Sequence, residues 1–121
     1  MNKLLEEYKV KVEAELNKFF NEKLKTTSNL DKDANEMVTL LKDFTLRGGK
    51  RIRGALFYYG YRLFSDENLD EVIKASMCFE LIQSSLLIHD DIIDQDIMRR
   101  NGDTMHISYE KYHKANNLSE D

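Results

Sequence analysis

Apolar residues recur at three- and four-residue steps along almost the whole of this 121-residue chain, and no proline interrupts them. That period lets an α-helix bury one face, and no segment shows the two-residue alternation of a half-buried strand. An all-α helical bundle is the fold class the pattern supports. Leu5, Tyr8, Val12, Leu16, Phe19 and Phe20 stripe a first helix over about residues 3–25, broken by the turn formers Thr26-Thr27-Ser28-Asn29. Met37, Leu40, Leu41 and Phe44 mark a second, ended by Gly48-Gly49, which adopt the left-handed conformation without steric cost. The third, with Ile52, Leu56, Phe57, Tyr58, Tyr59, Leu63 and Phe64, is apolar nearly all round and is expected at the centre. After a loop at 65–68, Val72, Ile73, Phe79, Ile82, Leu86, Leu87 and Ile93 carry a long helix to about Asp96. At about 1.5 Å per residue it reaches about 40 Å, more than a compact domain of this size covers, so half of its surface expects further helices. Arg99-Arg100-Asn101-Gly102 reads as a basic turn, and Asp103 as the cap of a last helix through Ile107 and Tyr109.

Two charge clusters oppose the helices that carry them. Gly48-Gly49-Lys50-Arg51-Ile52-Arg53 opens a helix with cations, and Asp90-Asp91-Ile92-Ile93-Asp94 puts carboxylates near the end of another. The helix dipole favours the reverse in both places. Each cluster therefore calls for a charged partner outside its helix, an anion for the first and metal cations for the second; a diphosphate carrying Mg2+ supplies both. Asp90 and Asp94 lie one turn apart on one face, whereas Asp91 sits about 100° away and reaches only the edge of such a site. Oxygen ligands of this kind suit Mg2+, which shares itself with substrate phosphates. Lys50 and Arg53, three apart, clamp an anion held by the amides of a helix start. An EF-hand is excluded, because Asp94-Gln95-Asp96 lacks the further ligand and the turn glycine.

Other features set bounds. The length suits one domain, 1–121, without repeats or linkers, and no run approaches the about 20 apolar residues of a membrane span. The first residues lack the apolar core of a secretory signal, and the lone Cys78 reads as a small core residue in a reducing compartment, so a cytoplasmic location is expected. A net charge of −4 with local cations argues against nucleic acid. His89 points about 100° from Asp90 and reads as a core or supporting residue. Glu110-Lys111-Tyr112-His113 reads as surface helix, and Met98 and Met105 as packing.

Together the clusters give the chain a resemblance to the trans-polyprenyl diphosphate synthases over residues 46 to about 113. Arg47-Gly48-Gly49-Lys50-Arg51-Ile52-Arg53 is similar to that family's isopentenyl diphosphate motif. The run from Glu80 to His89, followed by Asp90-Asp91-Ile92-Ile93-Asp94 and Arg99-Arg100, is similar to its first aspartate-rich motif. The resemblance implies a prenyltransferase with the helical isoprenoid synthase fold. Lys50, Arg53 and Arg100 then hold isopentenyl diphosphate, with Gln83 where the family commonly has histidine. Asp90 and Asp94, supported by Asp91, bind Mg2+ on the allylic prenyl diphosphate, and Arg99 contacts that diphosphate.

The family's second aspartate-rich motif has no counterpart in this sequence. The chain alone is thus expected to be inactive, an N-terminal half that assembles as a homodimer or with a companion chain. Two alternatives stay open, a non-catalytic partner subunit and a terpene cyclase relative; Lys50, Arg53 and Arg100 count against the cyclase. The resemblance also places a product ruler upstream of Asp90. Ser85 and Leu86 carry no ring there, so products of C20 or longer are expected, with Phe79, about 16 Å back along the helix, as a floor.

Overall fold

The computed structural model describes residues 3–99 and 101–116. Five helices follow in order: α1 (Lys3–Ser28), α2 (Lys32–Leu46), α3 (Ile52–Arg62), α4 (Leu69–Asp94) and α5 (Met105–Ala115). The all-α expectation holds, apart from one short antiparallel pair, β1 (Met98–Arg99) with β2 (Gly102–Asp103), where a plain basic turn was expected. Asn101, in the left-handed region at φ 62°, turns that hairpin.

The core runs along α1. Tyr8, Val12, Leu16 and Phe20, spaced at four, are buried against Ala55 and Tyr58 of α3 and Val72 and Ile73 of α4. Tyr8 donates to Ser76 Oγ at 2.8 Å, and burial pushes its phenol up to about 12. The third helix is therefore not the central one. Only its Gly54, Ala55 and Tyr58 face is buried, while Leu56, Leu63 and Phe64 are exposed by 69%, 83% and 91%. An all-round apolar helix of 11 residues has more surface than its neighbours α1 and α4 can cover.

The ends of the elements differ from expectation for local reasons. The first helix continues past Lys25 because Thr26, Thr27 and Ser28 turn their hydroxyls back onto the carbonyls of Glu22, Lys23 and Lys25 at 3.2, 3.0 and 2.8 Å. Asp31 caps α2 by accepting from the Ala34 amide at 3.3 Å. The fourth helix stops at Asp94, with Gln95 left-handed at φ 58°. Thr104, not Asp103, occupies the cap position of α5; its hydroxyl goes to Asp96 O at 2.9 Å, and the Asp103 carboxylate takes Lys111 at 2.7 Å.

One stripe of α4, comprising Ala75, Cys78, Ile82, Leu86, His89 and Ile93, is exposed along its whole length. These residues repeat at helical period on the side away from α1. Cys78 and His89 are consequently surface residues rather than core ones, and His89 Nδ1 lies 2.8 Å from Ser85 O of its own helix. By length and composition α4 is long and apolar enough to cross a membrane, contrary to the expectation that no segment is, and the core helix of a bundle passes the same test. Its inner face carries Ser76, Glu80, Ser84 and Asp91, all buried and all bonded to other side chains. Met105 is buried as expected, Met98 is exposed, and Glu110 pairs with Lys114 on the surface of α5.

Candidate functional site

Between α2 and α3 the backbone forms an arch. Gly48 and Gly49 stand at φ 121° and 119°, and Arg51 at φ 55°. A Cβ at Gly48 would meet nothing within 4 Å, so the backbone conformation and not crowding requires glycine there. Arginine in the left-handed region costs about 1–2 kcal/mol, and here three contacts hold it. Arg51 Nε donates to Glu13 Oε1 of α1 at 3.0 Å, Nη1 to Glu80 Oε2 of α4 at 2.6 Å and Nη2 to Thr45 O of α2 at 3.0 Å. Its side chain is 2% exposed. The middle cation of the cluster is thus a strut joining three helices, and its charge is answered from inside the protein.

Lys50 and Arg53 are exposed on either side of that strut. Arg53 Nη1 donates to Gln83 Oε1 of α4, so the structure brings together two residues that the sequence placed in one site. Around them lies a recess of about 440 Å³ lined by residues 48–53 and by Phe79, Glu80 and Gln83 of α4. The first turn of α3 opens into it, and Arg51 supplies no side-chain cap for that turn. Helix-start amides without a side-chain cap, flanked by two cations, have the chemistry to hold a phosphate-bearing anion.

The acidic cluster divides in the same way. Asp91 is fully buried and takes Arg99 from the hairpin, with Nε at 2.8 and 2.9 Å from its two oxygens and Nη2 at 2.7 Å. The Asp91 carboxylate raises the Arg99 guanidinium above its usual value. Asp91 therefore faces Arg99 and not the edge of a metal site, because its offset on the helix turns it toward the packed side. Asp90 and Asp94 are exposed, and neither has an ion-pair partner among the described residues. They share the helix face that carries Gln83 and Phe79. Among the described residues no three potential ligands gather into a self-sufficient metal cage. Two carboxylates one turn apart fit Mg2+ that takes its remaining oxygens from a bound phosphate and water. Arg100 lies outside the described residues.

Ser85 lines a separate apolar groove of about 310 Å³ with Phe19, Phe20, Leu41, Leu81 and Ile88. Phe79 instead packs on Phe57, with ring centroids 5.1 Å apart, at the anion recess. The two ruler residues therefore do not line one channel; at six residues' separation they face different sides of α4. The sequence also gives no role to Glu13, Glu80 or Arg47, although the last two stand in the quoted motifs. Glu80 had a signal, a lone carboxylate inside an apolar run, since such a group is buried only when paired.

The family model of the polyprenyl synthetases matches residues 34–117 of this chain. A short chain isoprenyl diphosphate synthase of Methanocaldococcus jannaschii is 42% identical over 89 residues, which are 74% of this chain and 26% of that protein. A farnesyl diphosphate synthase of Buchnera aphidicola is 41% identical over 71 residues, 57% of this chain and 24% of its own length. A geranylgeranyl diphosphate synthase of Methanosarcina mazei is 37% identical over 62 residues, 51% of this chain and 19% of its own. The chain spans about a quarter or less of these relatives. No solved structure matches it.

Proposed function

Since the chain belongs to the polyprenyl synthetase family, we propose that it carries the diphosphate-binding part of a prenyl diphosphate synthase joining isopentenyl diphosphate to an allylic prenyl diphosphate. The observation that carries this reading is the meeting of Arg53 and Gln83 at the recess under the glycine arch, on the face of α4 that continues to Asp90 and Asp94. Lys50, Arg53 and Arg100 bind isopentenyl diphosphate. Gln83, its oxygen held by Arg53, presents its amide N–H groups as uncharged donors. Arg99, engaged by Asp91 along its Nε and Nη2 edge, offers the Nη1 side to the allylic diphosphate.

Asp90 and Asp94 would hold Mg2+, which when bound neutralises the diphosphate leaving group. The allylic C1–O bond breaks with its electron pair on the departing diphosphate, the isopentenyl double bond forms the new carbon–carbon bond to C1, and the released diphosphate takes up the proton lost from the isopentenyl unit as a double bond is restored. The residues named here act by positioning and by charge, and no side-chain nucleophile is involved. Ser85 leaves room above Phe19 and Phe20 for a tail, and Leu86, on the exposed stripe, adds no ring, so products reach C20 or longer and Ser85→Phe shortens them. The bare stripe on α4 is covered by a second copy or a companion chain; a compact monomer in sedimentation at micromolar concentration would contradict that.

The deciding experiment has two arms. Mg2+-dependent condensation of isopentenyl diphosphate with an allylic diphosphate is measured for the full-length protein. In parallel, thermal melts should show Mg2+ and inorganic diphosphate together stabilising far more than either alone. Equal stabilisation of wild type and Asp90→Ala by the pair would sink the metal assignment. A thermal response without turnover would point to a non-catalytic partner subunit.

A further inference from the structure

Arg47 stands immediately before the glycine arch, and its guanidinium is committed to the protein. Nε and Nη2 donate to Asp43 Oδ2 of the same helix at 3.0 and 2.8 Å, and Arg47 lines a different recess, with Thr39, Lys42, Asp43 and Leu46. Nη1 donates to Arg99 O at 3.2 Å and to Asp103 O, one carbonyl on each strand of the hairpin. The plane lies over the Phe44 ring, 5.7 Å from its centroid, and the side chain is 15% exposed. Gly102, paired with Arg99 across the hairpin, makes room for it: a Cβ there would stand 2.7 Å from Arg47 Cζ. Lysine has no fork that spans a carboxylate and two carbonyls at once.

From this we infer that Arg47 is a positioning residue that locks the glycine arch to the Arg99 hairpin, holding the two anion-binding segments at one separation. The inference rests on the functional reading above for the identity of the anions and for Arg99 as one of their contacts. The arch needs such a tie because two successive glycines leave it free to take many conformations. Arg51 anchors its far end to α1 and α4. Arg47 anchors its near end to the segment that carries Arg99.

The test uses the full-length protein with Arg47→Lys, Gly102→Ala and the double variant. Gly102→Ala leaves Arg47 in place but displaces its guanidinium, and Gly102 does not sit at positive φ. Each single variant should lower kcat/KM about 10- to 100-fold, as misplacement by about 1 Å does, with KM for both diphosphates raised. The double variant should be no worse than either single one, because both remove the same tie. Hydrogen exchange with inorganic diphosphate as the probe reads the coupling without turnover. In wild type, protection should rise at residues 48–53 and also at the Thr104 amide, which donates to Ile97 O at 3.0 Å across the hairpin base. In Arg47→Lys it should rise at 48–53 alone. Additive losses in the double variant, wild-type kinetics in Gly102→Ala, or protection confined to the arch in wild type would each overturn the inference. Absence of condensation with coupled exchange intact would instead defeat the functional reading and leave this inference standing.

Discussion

The basic arch and the acidic end of α4 are built alike and braced differently. In each, one charge is buried in an ion pair and its like-charged neighbours are left exposed: Arg51 between Lys50 and Arg53, Asp91 between Asp90 and Asp94. Arg51, however, is held from α1, α2 and α4, and its partner Glu80 is itself buried. Asp91 is held by Arg99 of the hairpin that follows it, and that side chain is 29% exposed. The arch is thus braced directly by three helices, whereas Asp91 is held, among the described residues, by one side chain of a hairpin that Arg47 in turn ties to α2.

The largest effect is expected at the arch. Arg51→Ala leaves Glu80 buried without a counter-charge and should cost about 3–5 kcal/mol in denaturant unfolding, close to the whole stability of a marginal domain. Asp91→Ala leaves Arg99 able to reach water, so its cost should be smaller, about 1.5–3 kcal/mol, the range of hydrogen bonds to charged groups. If Asp91→Ala proves the more damaging of the two, the contrast drawn between the two kinds of bracing is wrong.

Tyr8→Phe tests whether the bracing around the arch extends to α1. Losing the Ser76 bond should cost about 1 kcal/mol. Burial raises the folded-state phenol from 10.0 to about 12, so the unfolded chain releases this proton first as pH rises. The stabilisation is complete below about pH 10 and is lost between about pH 10 and 12, and Tyr8→Phe should flatten that part of the stability profile. An unchanged alkaline slope would remove Tyr8 from the account.

Least change in stability is expected for the exposed members. Lys50→Ala and Asp90→Ala should each shift the unfolding free energy by no more than about 0.5 kcal/mol. In the full-length protein the same substitutions should lower condensation by about 100-fold, the scale on which removal of an electrostatic contact to a reacting group acts. A variant that unfolds the protein or leaves turnover intact would place that residue in the frame and not in the site.

Much of this was legible in the residues themselves. The four-residue spacing of Tyr8, Val12, Leu16 and Phe20 determined that α1 is a helix and which face it buries, because side-chain direction follows from 3.6 residues per turn. The glycine pair determined where α2 gives way to an arch, and the one-turn step from Asp90 to Asp94 determined that these carboxylates share a face. Such properties depend on neighbours within a few positions. Whether a charge is spent inside the protein or kept for a ligand depends on partners far along the chain, and only the tertiary structure decided it. Glu13 and Glu80 reach Arg51 from 38 and 29 positions away, and the hairpin reaches Arg47 from 52 and 56. The same reason explains why α3, apolar on every side, lies at the edge: hydrophobicity drives burial, but the number of helices at hand sets how much surface is buried.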